Sequence, residues 1–69
     1  MFQLYDKVKL KVGDPTNKVT PDQIGIIVDI APSIDGKYGY TVEFIDDVGI
    51  TNMSALEKYY RAEDLIKIN

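Results

Sequence analysis

The chain of 69 residues contains no cysteine, no histidine and no tryptophan. Without cysteine there is no disulfide framework, no thiolate metal site and no thiol nucleophile. Without histidine the chain lacks the commonest general base, the commonest zinc ligand and every catalytic triad built on imidazole. Arginine occurs once, and with the lysines it makes eight cations against eleven carboxylates, a net charge of −3. That balance disfavours a general nucleic-acid binder, whose affinity comes mostly from neutralising phosphates. Long apolar runs are missing too. Ile26-Ile27-Val28 is the longest, far short of the ~20 residues that span a bilayer. The opening Met1-Phe2-Gln3-Leu4-Tyr5-Asp6-Lys7 has no basic n-region, and Asp6 interrupts its apolar character. No export signal is expected, and the expected location is the cytoplasm. The length fits one domain over residues 1–69, which buries only ~60% of its unfolded surface.

What is present is a series of short strand-like runs punctuated by Gly, Pro, Asn and Asp. In the first, Val8, Leu10 and Val12 alternate with Lys7, Lys9 and Lys11. A period of two puts one apolar face inward and one cationic face outward. Gly13-Asp14-Pro15-Thr16-Asn17 ends it. A second run covers Ile24–Ile30, with Ile24, Ile26, Val28 and Ile30 expected on the buried face. Its Gly25 points to a bulge or a close backbone approach. The third, Tyr38–Ile45, places Tyr40, Val42 and Phe44 on one side. Asp46-Asp47-Val48-Gly49 reads as a hairpin connection and Ile50–Met53 as its return strand. Ser54-Ala55-Leu56-Glu57 matches a capping box, which predicts a loop or about one helical turn near Ser54–Tyr60. A short turn near Arg61–Asp64 and a final strand should follow. Five short strands without a long helix predict an all-β, five-stranded small barrel with at most one short helical turn.

The order Asp6-Lys7-Val8-Lys9-Leu10, Gly25-Ile26-Ile27-Val28, Tyr40-Thr41-Val42-Glu43-Phe44 and Arg61-Ala62-Glu63-Asp64-Leu65 resembles the Src-homology-3-like small barrels of bacteria. The opening Met1-Phe2-Gln3-Leu4-Tyr5-Asp6-Lys7-Val8 is similar to that of a family of short bacterial proteins beginning M-F-x-L-Y-D-x-V. The same order of motifs occurs in the accessory barrel subunit of photosystem I. The resemblance implies a Src-homology-3-like barrel over roughly residues 2–68 and brings no activity with it.

Tyrosine is the most suggestive residue type: Tyr38, Tyr40, Tyr59 and Tyr60 offer large rigid area with a polar tip. Tyr59 and Tyr60 are consecutive, so one of them should face outward, and Tyr38 beside Gly39 should be partly exposed. Asp46 and Asp47 are adjacent and cannot form a glycosidase-type carboxylate pair on an extended chain. In a turn they face solvent, and with Asp35 they would make an anionic rim suited to a basic partner. Local turn chemistry is the plainer reading of the same residues. Lys7, Lys9 and Lys11 recur at ~6–7 Å along one strand face, close to phosphate spacing. Edge protection explains the same pattern.

The stretch from Asp14 fails the calcium-loop pattern, having Val19 where glycine is required. Neither a nucleophile elbow, a Ser-x-x-Lys motif nor a phosphate-cradling loop occurs. The sequence therefore predicts no metal, no cofactor and no enzymatic activity. It predicts a protein-interaction module, in one version a small inhibitor or immunity protein occupying a basic site through Tyr38, Tyr40, Asp46, Asp47, Tyr59 and Tyr60. The alternatives are a nucleic-acid-binding barrel using Lys7, Lys9 and Lys11, and an accessory subunit of a larger complex. A monomer or an edge-strand homodimer fits either.

Overall fold

The computed structural model describes residues 2–68. Strand β1 (Lys7–Leu10) is followed by a 3-10 turn at Pro15–Asn17, then by β2 (Gly25–Pro32) and β3 (Tyr38–Phe44). A single helical turn, α1 (Met53–Leu56), leads to β4 (Tyr60–Arg61), a 3-10 turn at Ala62–Asp64 and β5 (Leu65–Lys67). The strands form one antiparallel sheet in the order β4-β3-β2-β1-β5.

The expected barrel is not closed. β4 and β5 lie at opposite edges and share no ladder. They are also the two shortest strands, two and three residues long, and the 3-10 turn between them ends one before the other begins. The sheet is open, with five antiparallel strands and one short helix.

Its inner face carries Val8, Leu10, Ile27, Tyr40, Val42, Phe44, Tyr60 and Leu65, covered by Val19 and by Ala55 of α1. Burying an aliphatic or aromatic side chain of this size contributes roughly 1.5–3 kcal/mol. Phe2 packs edge-on against Tyr40 with ring centroids 5.4 Å apart, and Phe44 against Tyr60 at 6.3 Å. Gly25 is required by this packing: a Cβ there would run into Val42 and come within 2.7 Å of the Phe44 ring.

Three expectations about individual elements change. β1 stops at Leu10, so Val12 is exposed, not buried. A bulge between Ile27 and Asp29 shifts the register of β2. Before it the buried positions are Gly25 and Ile27, while Ile24 and Val28 are exposed. The expected face holds for Ile30, which packs against the core, and fails for Ile24, Ile26 and Val28, because a bulge flips the phase of a strand with period two. The return strand at Ile50–Met53 reduces to one bridge, Ile45 to Thr51. There Asn52, its backbone still extended, accepts from the Ala55 N–H at 3.1 Å, starting α1 two residues before the Ser54 cap the pattern suggested.

Candidate interaction surface

Alternation along β3 and β4 sorts the tyrosines. Tyr40 and Tyr60 are cross-strand partners on the inner face, each 2% exposed. Both belong to the core and neither offers a contact surface, which corrects the expectation for these two. Tyr59, one residue from Tyr60, turns to the outer face and is 53% exposed, while Tyr38 at the start of β3 is 41% exposed.

Tyr59 lies across Gly39. A Cβ on residue 39 would sit 3.0 Å from the Tyr59 Cβ and 3.1 Å from its ring, so the ring rests on bare backbone. Ala31 pairs with Gly39 from β2 and Arg61 pairs with it from β4. Two small residues in the middle and an aromatic and a guanidinium at the side leave a groove of about 440 Å³, lined by Ala31, Pro32, Ser33, Gly39, Tyr59 and Arg61. The guanidinium is fixed, since Arg61 Nη2 donates to Asp35 Oδ2 at 2.6 Å. The other Asp35 oxygen accepts from the Ser33 hydroxyl and the Lys37 N–H. The Ser33 hydroxyl foremost, then Lys37 and Arg61, hold the Asp35 carboxyl far below the usual range. Asp29, opposite Thr41 on the same outer face, is exposed and makes no ion pair among the described residues.

The shared anionic rim does not form. Asp35 precedes β3, whereas Asp46 and Asp47 follow it, so seven strand residues separate them by roughly 20 Å. Asp46 performs the turn chemistry: its Oδ1 accepts from Val48 N at 3.0 Å and Ile50 N at 2.8 Å, around Gly49 at φ +86°. Asp47 is exposed. The lysine stripe is also shorter than expected. Lys7 and Lys9 share the outer face of β1, but Lys11 lies past the end of the strand, its N–H bonded to the Asp64 carbonyl.

The buried carboxylate was read in the sequence only as the start of a failed calcium loop. Asp14 is 9% exposed, and its Oδ2 accepts from Asn17 Nδ2 at 2.7 Å, Tyr60 Oη at 2.8 Å and Lys58 Nζ at 3.0 Å. The Asn17 amide foremost, with Lys58 and Tyr60, holds its carboxyl down at about 2 against partial burial. Burial, then the Asp14 carboxylate, pushes the Tyr60 phenol far above its ordinary value. A carboxylate this well solvated by donors is a poor base, and a phenol this hard to ionise is a poor acid. The network is an anchor. It ties the 13–19 loop to β4, while Asn52 Nδ2 ties the same loop to α1 through the Asn17 carbonyl at 2.7 Å. Asn17 is three residues from Asp14, but the partners that join the loop to α1 and β4 are 35 to 46 residues apart, so no local spacing could have revealed the long ties.

Among the described residues no group of three or more Asp or Glu side chains is placed to hold a metal ion, and no helix is long and apolar enough to cross a membrane. No family model, no curated protein and no solved structure matches the chain. With the sheet open and no relative found, the resemblance to Src-homology-3-like barrels and to the photosystem I subunit is not upheld. The motifs that suggested it are strand and turn signals common to small antiparallel sheets.

Proposed function

We propose that this chain is a non-enzymatic, cytoplasmic protein-interaction module that docks a basic partner at the Tyr59 groove. The observation that carries the reading is the Tyr59 ring laid over Gly39 beside Arg61 and its partner Asp35, with the exposed Asp29 on the same outer face. Tyrosine and arginine are the residue types that dominate interface energetics, and an open aromatic face attracts a cationic side chain. Asp29 pairs with no cation among the described residues, so a lysine or arginine from a partner would gain a carboxylate and a ring together. The net charge of −3 steers a basic protein inward at low salt. In its most concrete form the chain is a small inhibitor that fills a basic cleft.

The test is an NMR titration of labelled protein with a lysine- and arginine-rich peptide. Shifts should concentrate at Ala31, Gly39 and Tyr59 and weaken with salt. Tyr59→Ala should reduce affinity about 30-fold, the ~2 kcal/mol of an aromatic hot spot. Shifts spread evenly over the surface, or unchanged in Tyr59→Ala, would refute the site.

A further inference from the structure

The outer face of the sheet around β1 departs from the polar pattern expected where an antiparallel sheet meets water. Lys7 stands opposite Ile26 of β2, and Ile26 opposite Glu43 of β3. On the other side the Ile68 N–H bonds to the Lys7 carbonyl. The result is a row, Ile68–Lys7–Ile26–Glu43, with Ile66 beside Lys9 as a second row. Ile66 is 48% and Ile68 38% exposed. Lys7 and Glu43 are two strands apart, about 10 Å between backbones, and form no ion pair with each other or with other described residues. Among the described residues the Glu43 carboxylate accepts only from the neutral Thr51 hydroxyl, at 3.1 Å. Lys9 is answered in part by Asp22, whose carboxyl is held low mainly by Thr20 and slightly by Lys9.

We propose that this face binds a second copy of the chain about a two-fold axis running along β2 at Ile26. Such an axis, midway between two facing sheets, keeps the strand direction and reverses the strand order. Ile26 then meets its own counterpart, and Lys7 of each subunit lies over Glu43 of the other. Facing sheets stand ~10 Å apart, a gap that a lysine and a glutamate side chain bridge together. The contact is isologous, as a closed dimer requires. The bulge after Ile27 bends β2 and leaves Asp29 outside the contact. A partner of one sign would match either Lys7 or Glu43 and oppose the other, whereas a second copy matches both. An anionic membrane or nucleic acid also meets a net charge of −3. The patch is about four strands wide and two rows deep, roughly 20 Å by 13 Å, below the area of standard specific interfaces, so the dimer is weak and transient, with a dissociation constant on the order of 100 μM.

Sedimentation velocity between about 20 μM and 1 mM tests this, with circular dichroism checking the fold of every variant. The wild type should pass from monomer to dimer as concentration rises. Lys7→Glu and Glu43→Lys should each be monomeric, because each places like charges together twice. Mixed one to one, they should recover the dimer, since every contact then has opposite signs. Tyr59→Ala should dimerise like the wild type, which separates this surface from the groove. A wild type monomeric at about 1 mM, or a mixture that stays monomeric, would overturn the proposal. So would Lys7-dependent adsorption to anionic vesicles or an oligonucleotide without dimerisation, which would give the patch to another occupant.

Discussion

Removing the Asp14 carboxylate should be the most damaging single change outside the apolar core. Its folded value of about 2, against an ordinary 3.8, is a difference of nearly two units, or about 2.5 kcal/mol at 1.36 kcal/mol per unit. The site is covered but shallow, and solvent screening reduces this to about 1–2 kcal/mol. Asp14→Ala also leaves the buried Tyr60 hydroxyl without its acceptor, which costs about 1–3 kcal/mol. A combined loss of about 2–5 kcal/mol should lower the melting temperature by roughly 10–40 °C in a domain of this size. The pH dependence isolates the charge. Because the folded value is depressed, the stabilisation is fully present above the unfolded value. It is lost as pH falls from near 4 through about 2. Urea denaturation of wild type and Asp14→Asn at several pH values between about 6 and 2 reads this directly. The gap between them should be constant above about pH 5 and shrink by about 1–2 kcal/mol toward pH 2. A gap that stays constant through that range would refute the assignment of the charge to this network, and a loss under about 0.5 kcal/mol in Asp14→Ala would refute its structural weight.

Three further outcomes follow from the packing. Gly25→Ala forces a methyl against Val42 and Phe44 and should cost about 2–3 kcal/mol, measured by chemical denaturation. Asn52→Ala removes both the α1 cap and the tie to Asn17, and about 1–2 kcal/mol should be lost, with faster amide exchange in residues 13–19. Arg61→Ala opens an exposed ion pair with Asp35. It should change the melting temperature by no more than a few degrees yet strengthen binding of the basic peptide, because it removes a like charge from the groove wall and frees the Asp35 carboxylate.

The inner faces of β1 and β3 were readable because their alternation is unbroken: Val8 and Leu10, and Tyr40, Val42 and Phe44, lie where a period of two puts them. In the second run Ile24, Ile26 and Val28 were misread because the apolar residues around Gly25 are nearly consecutive, and the bulge that sets their phase leaves no mark in Ile26-Ile27-Val28. The close approach at Gly25 was legible, since glycine inside a β-branched run has few other reasons to be there. Closure of the sheet was not, because it depends on whether two strands of two and three residues meet across the molecule. At the groove, the exposure of Tyr59 follows from its immediately preceding Tyr60, the inward-facing first residue of β4. Its resting place over Gly39 comes from the β3–β4 register, which local sequence does not encode.

The pairing of β1 with β5 determines how the molecule answers force. These strands run antiparallel, with Val8 opposite Lys67 and the Ile68 N–H on the Lys7 carbonyl, so both chain segments leave the sheet at the same end of this ladder. A pull applied between residues 2 and 68 therefore loads one rung at a time, as a zipper is opened, instead of shearing all rungs together. Once β5 has peeled away, β1 becomes an edge strand and separates from β2 in turn. A translocating unfoldase gripping either segment would meet little mechanical resistance, whatever the thermal stability of the core.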